Sequence, residues 1–116
     1  MSFKLIQAIE LHQLWEKSED IILIDVRERD EFVEVASPYA KNYPLSSLDV
    51  SEVLESLNLS LARPDTPLYF ICRSGGRSSM AADAFDMAGY TNTYNVEGGM
   101  NRWLDLGLPM RNEKCE

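Results

Sequence analysis

Apolar and polar positions alternate along this chain in two kinds of block. Ile21 to Val26 (IILIDV) and Leu68 to Ile71 (LYFI) are short runs, apolar apart from one acid in the first. Such runs, bounded by charged or turn residues, are the pattern of strands covered on both faces. Weaker strand patterns lie at Phe3 to Ile6, Ala40 to Leu45 and Thr93 to Val96. Pro44 assigns the middle one to a sheet edge or strand end, because proline cannot donate to a ladder. Between the runs stand segments with apolar residues three and four apart. Glu10 to Lys17 presents Leu11, Leu14 and Trp15 to a sheet, with His12 on its polar side. Arg27 to Val33 predicts a short helix on which Arg27 and Glu31, four apart, pair at the surface. Ser46 or Ser47 caps a helix carrying Leu48, Val50, Val53, Leu54 and Leu57. Met80, Ala81, Ala84, Phe85, Met87 and Ala88 form a core stripe that Gly89 ends. Gly98-Gly99 opens a last helix with Met100, Trp103 and Leu104 on one side.

About five strands alternating with about five helices predict an α/β fold, a mainly parallel sheet flanked by helices on both faces. No repeat or linker interrupts the pattern. Residues 1–116 read as one domain, with 110–116 as a flexible tail, and a chain of this length buries about two-thirds of its unfolded surface. Active groups in such sheets sit beyond the carboxyl ends of strands. Cys72 and Asp25 both lie at strand ends.

Charge removes some function classes. The net charge of −8 argues against nucleic acid or an anionic membrane as partner. It does not exclude a small anion, since surface fields are screened within about 8–10 Å. No stretch of ~18 apolar residues occurs, and MSFKLIQAIELHQLWEK lacks a basic flank followed by an apolar core. A cytoplasmic monomer is the expectation. Two cysteines are too few for a disulfide framework. Cys115, one residue from the end, is either an incidental thiol or a resolving partner for Cys72.

The chemistry concentrates in Cys72 to Ser78, CRSGGRS. A strand ending in Cys, a Gly-Gly loop and a following helix bring a thiol to backbone N–H groups and a helix N-terminus. That geometry binds anions and lowers a thiol pKa from its usual ~8.5. Gly75 and Gly76 let the loop curl through conformations closed to most residues, and Arg73 and Arg77 add positive charge. The only histidine is His12, on a distant helix, so activation by amides and arginines rather than by a base is expected. No Cys or His lies at ligand spacing from Cys72, so neither metal nor cofactor is implied.

FICRSGGRS resembles the active-site loop of the rhodanese (sulfurtransferase) family. Asp25-Val26-Arg27 with Glu31-Phe32 is similar to that family's D-V-R-x-x-x-E-[FY] signature, and Gly98-Gly99 with Trp103 and Gly107-Leu108-Pro109 to its G-G-x-x-x-W…G-x-P ending. The likeness spans nearly the whole chain in order. It implies a three-layer rhodanese-like domain and a double displacement in which Cys72 takes sulfur from a donor such as thiosulfate. A thiol, cyanide or partner protein then removes that sulfur from a Cys72 persulfide. The N–H groups of Arg73, Ser74, Gly75, Gly76, Arg77 and Ser78 would cradle the persulfide, Arg73 and Arg77 would balance an anionic donor, and Asp25, Arg27 and Glu31 would support the loop. One stretch departs: Val35-Ala36-Ser37-Pro38-Tyr39 stands where the family carries G-H-I-x-G, which predicts an altered turn and an altered pocket wall. Two other readings stay open, a sulfur carrier or partner-binding module with little turnover, and a cysteine phosphatase or arsenate reductase. The latter needs a loop one residue longer between Cys and Arg than the four residues present here.

Overall fold

The computed structural model describes residues 3–18 and 20–112. Strands β1 (Lys4–Gln7), β2 (Ile22–Asp25), β3 (Ala40–Asn42), β4 (Leu68–Ile71) and β5 (Thr93–Glu97) form one sheet in the order β1-β5-β4-β2-β3. All four pairings are parallel, so the sheet is wholly rather than mainly parallel. Pro44 follows β3, an edge strand, as its missing N–H requires. Helices α1 (Ala8–Ser18), α2 (Arg29–Glu34), α3 (Val50–Ser56), α4 (Gly76–Met87) and α5 (Gly99–Asp105) connect and follow the strands. Among the described residues no helix is long and apolar enough to cross a membrane.

The two-residue period of β4 divides the core. Leu68, Phe70 and then Cys72 face a layer with Val53 and Leu54 of α3 and Ala81, Ala82 and Phe85 of α4. Tyr69 and Ile71 face the opposite layer, with Leu11 of α1, Phe32 of α2 and Met100 and Trp103 of α5. A fully buried side chain of this size contributes about 1.5–3 kcal/mol. Phe70 and Phe85, with ring centroids 5.0 Å apart at 53°, also gain an aromatic contact.

Five expectations change. Met80 and Met87 are 62% and 82% exposed rather than core. The buried side of α4 is Ser78, Ala81, Ala82 and Phe85, and both methionines lie about half a turn away from it. Small residues let α4 approach the sheet closely. The cap of α3 is Asp49, which accepts from Glu52 N at 3.1 Å, while Ser46 and Ser47 lie in a 3₁₀ turn, Leu45–Ser47. His12 is buried, not solvated: its Nδ1 meets Tyr39 Oη at 3.1 Å, and its ring stacks on Trp15 and Tyr39. Leu14, expected on the sheet face, is 39% exposed.

The fifth change concerns Val35 to Tyr39. Ala36 forms an antiparallel bridge with Arg111, through N···O contacts of 3.0 and 2.8 Å. The Tyr39 ring lies 4.4 Å from that of Trp15, nearly parallel. Burial pushes the Tyr39 phenol well above its ordinary value. Ala36 belongs to the core layer opposite that of Cys72, with Tyr39 packed against it. This segment therefore packs against Trp15 of α1 and Trp103 of α5, in the layer opposite the thiol, and is not the expected pocket wall. It also holds the chain at Arg111, whose guanidinium sits 4.6 Å over the Phe32 ring, inside the stretch expected to be a tail. Cys115 lies outside the described residues.

Candidate active site

Cys72 follows the last residue of β4, and its thiol is 1% exposed. The loop turns at Gly75, whose φ of +119° is closed to most side chains, and α4 begins at Gly76. This turn aims Gly75 N at Cys72 Sγ, 3.1 Å away, and the first turn of α4 brings Ser78 Oγ to 3.3 Å. Gly76 adopts an ordinary helical backbone with open space where a Cβ would stand. The special conformation expected of both glycines thus belongs to Gly75 alone.

Burial is the largest influence on the thiol and pushes its pKa up. The Ser78 hydroxyl and the N–H groups of Ser78, Gly75 and Ser74 together outweigh it, and the thiol lies below its ordinary value. These donors come from the loop and helix start, as the sequence led one to expect. No histidine assists, since His12 packs edge-on to Trp103 with a ring separation of 5.9 Å, in the opposite layer.

The charged residues pair differently from their sequence spacing. Arg27 does not pair with Glu31. It turns back on Asp25, with Nε 3.0 Å from Oδ1 and Nη2 2.8 Å from Oδ2, and donates its own backbone N–H to Oδ1 at 3.0 Å. Both residues are buried, and Nη2 also donates to Val35 O at 2.6 Å. Asn42 Nδ2 donates to the carbonyls of Asp25 and Arg27 at 3.0 and 2.9 Å, closing the turn after β2. Glu31 reaches across instead to the cysteine loop. It accepts from Arg77 Nη1 and Nη2 at 2.8 and 3.1 Å and from Arg73 Nη2 at 3.2 Å. Sheet order explains this choice. Asp25 of β2 lies beside Ile71 of β4, so α2 and the cysteine loop emerge side by side. Arg73 and Arg77 are therefore partly neutralised on the rim and are not two free cations.

Glu31 is held at about 2, chiefly by the Arg77 hydrogen bond acting against burial. Because this folded value lies below the ordinary 4.5, the clamp's contribution is complete above about pH 4.5 and lost as pH falls through about 2. Glu31→Gln should lower stability above about pH 4.5, where the clamp is complete, and flatten the stability–pH curve between about pH 2 and 4.5, measured by urea unfolding at each pH.

Two further features of the site escaped the sequence reading. Gly98-Gly99 opens α5 as expected, but its purpose lies elsewhere. Met100 N donates to Cys72 O at 2.7 Å and Asn101 N to Arg73 O at 3.0 Å, so the start of α5 holds the cysteine loop from behind. A Cβ on Gly99 would stand 2.4 Å from Cys72 O and 2.6 Å from Arg73 O, at a φ of +55°. Gly99→Ala should displace the loop and cost several kcal/mol, about 2–4 from the clash and strained backbone together. A thermal melt alongside Cys72 alkylation checks this, and an unshifted melt would refute the close approach. The second feature is Asn95 of β5, buried beside Ser78 with Oδ1 2.5 Å from Oγ. Polar side chains at Thr93 and Asn95, alternate positions of a central strand, were the available signal.

A thiol held below its ordinary pKa by the Ser78 hydroxyl and backbone amides at the end of a central parallel strand, with carboxylate-clamped arginines on its rim, defines an α/β protein built around a cysteine in an anion-stabilising loop. Residues 8–106 match the rhodanese-like domain, and the chain belongs to this family of sulfurtransferases. YtwF of Bacillus subtilis (strain 168) is 38% identical over 103 residues, covering 89% of this chain and 92% of its own. The thiosulfate:glutathione sulfurtransferase of Saccharomyces cerevisiae is 33% identical over 94 residues, covering 76% of this chain and 68% of its own. A solved rhodanese-like domain protein from Staphylococcus aureus superposes with a TM-score of 0.75 at 29% identity, over 95% of this chain and all of that one.

Proposed function

We propose that this protein moves sulfane sulfur from a small anionic donor such as thiosulfate to a thiophilic acceptor, through a persulfide on Cys72. The observation that carries the reading is a buried thiol whose pKa is lowered by hydrogen-bond donors, 3.1 Å from Gly75 N, with no histidine beside it among the described residues. The Cys72 thiolate attacks the outer sulfur of thiosulfate, the S–S bond breaks, and sulfite leaves with the bonding pair. The charge then rests on the outer persulfide sulfur, and an acceptor thiolate or cyanide takes that sulfur and returns Cys72 as thiolate. Donor and acceptor supply all the electrons, so the cycle needs neither metal nor cofactor.

In this reading the N–H groups of Ser74, Gly75 and Ser78 hold the sulfur anion, with those of Arg73, Gly76 and Arg77 completing the curve of the loop. Arg73 and Arg77 meet the donor's anionic end, and Glu31 limits how much charge they offer. Asp25 and Arg27 brace the adjoining turn. A yeast relative named for thiosulfate and glutathione supports a small donor and a thiol acceptor. One observation favours the carrier reading as a second choice: a Glu31-clamped arginine pair attracts a small dianion less than two free guanidiniums would, which suits sulfur delivered by a protein. Intact-mass spectrometry after thiosulfate treatment tests the proposal. One added sulfur, removed by cyanide, is expected. No adduct with thiosulfate, together with hydrolysis of a phosphate ester, would overturn it.

A further inference from the structure

Asn95 belongs to none of the motifs that carry the family likeness, yet hydrogen counting gives it a part in the chemistry of Cys72. Three acceptors surround Ser78 Oγ: Asn95 Oδ1 at 2.5 Å, Gly75 O at 3.2 Å and Cys72 Sγ at 3.3 Å. A hydroxyl has one hydrogen to give. Gly75 O already accepts from Ser79 N at 3.1 Å and Asn95 Nδ2 at 3.2 Å. The second of these contacts fixes the amide's orientation, because the flipped amide would set two oxygens face to face. Asn95 therefore aims an acceptor at Ser78, and the short contact takes the hydroxyl hydrogen. Ser78 Oγ then turns a lone pair toward sulfur. That arrangement suits a thiol, which can donate its S–H to Oγ, but it opposes a thiolate.

We propose that Asn95 is a positioning residue that holds the Ser78 hydroxyl off Cys72 while sulfur is uncharged and releases it when a thiolate forms. The inference rests on the thiolate mechanism proposed above. As the proton leaves Sγ, the Ser78 O–H rotates from Asn95 Oδ1 to sulfur. When Sγ becomes the inner, uncharged sulfur of a persulfide, the hydroxyl returns to Asn95. It swings back as the acceptor takes the outer sulfur and Sγ leaves as thiolate. Asn95 thus competes with the thiolate for one hydrogen bond, which keeps the anion reactive instead of over-stabilised. The charged groups around the thiol are Arg77 of α4, which feels the Cys72 charge, Arg73 in the loop, Glu31 of α2 pairing both, and the Asp25–Arg27 pair beyond β2. None of them makes a hydrogen bond to Asn95, so replacing it leaves their pairing in place.

The test is the pH dependence of Cys72 alkylation by iodoacetamide, followed by peptide mass mapping so that Cys115 is counted separately. Four proteins are compared: wild type, Asn95→Ala, Ser78→Ala and the double variant. Asn95→Ala should move the midpoint of the rate–pH curve down. Below that midpoint alkylation should be about threefold faster, because a tenfold gain in thiolate is offset by its lower nucleophilicity. In the Ser78→Ala background the same change should move nothing. If Asn95 only braced the loop through Gly75 O, its loss would weaken the Gly75 N–Sγ contact. The midpoint would then rise, or shift equally in both backgrounds, and either result overturns the proposal. Asn95→Val, better suited to a strand, replaces Asn95→Ala should the latter fail to give a cooperative urea transition. Alkylation needs no sulfur donor, so failure of persulfide loading would count against the sulfur-transfer reading and leave this test standing.

Discussion

Cys72→Ser should abolish sulfur loading, leaving less than about a thousandth of the wild-type rate, a barrier increase of ~4 kcal/mol or more. The site offers hydrogen-bond donors to sulfur and, among the described residues, no histidine beside it. Gly75 N and the Ser78 hydroxyl favour ionisation of a thiol, but a serine hydroxyl, a far weaker acid, stays protonated. The fold should survive, because the smaller oxygen keeps the same neighbours and can accept from Gly75 N. A melting temperature within a few degrees of wild type is expected, so lost loading would report chemistry rather than unfolding. Mass spectrometry of both proteins after thiosulfate treatment decides the matter. Retained loading on the serine variant would move the nucleophile elsewhere, Cys115 being the first place to look.

Arg27→Ala should be the most destabilising of the charge removals, by about 3–5 kcal/mol. Asp25 is fully buried, and three of its hydrogen bonds come from the Arg27 side chain. Truncating the arginine strands a carboxylate in the core and also takes a donor from Val35 O. For a domain of this size the melting temperature should fall by more than about 10 °C. Removing both charges is different. Asp25→Leu with Arg27→Met leaves no orphaned ion and should recover much of the loss, which thermal unfolding of the three proteins would show. If the double variant melts no higher than Arg27→Ala, the cost lies in packing and not in an unpaired charge. Sulfur loading should suffer as well, since Asp25 lies in register with Ile71, the residue before Cys72.

Much of the architecture was legible because its causes are local. Continuous apolar runs, a proline after an edge strand and glycines at helix ends act within a few residues, and most marked their elements to within a residue or two, although the strand expected over Ala40 to Leu45 ends at Asn42. Alternation along β4 even sets which layer Cys72 enters. Errors arose where a local rule met a tertiary competitor. Met80 and Met87 have the hydrophobicity of core residues, but α4 turns its small side to the sheet. Arg27 and Glu31 stood at pairing distance on a helix, yet each found a better partner beyond it. His12 looked solvated until Tyr39, 27 residues away, covered it.

The sequence alone determined that a cysteine would stand at the end of a buried strand, in a Gly-Gly loop with a helix start behind it. Backbone geometry, strand period and residue type are sufficient for that. Only the tertiary structure decided who else attends the thiol. Setting β2 against one side of β4 and β5 against the other brings Glu31 to Arg77, 46 residues apart, and Asn95 to Ser78, 17 apart. Those partnerships depend on the order of strands in the sheet, and no local pattern encodes that order.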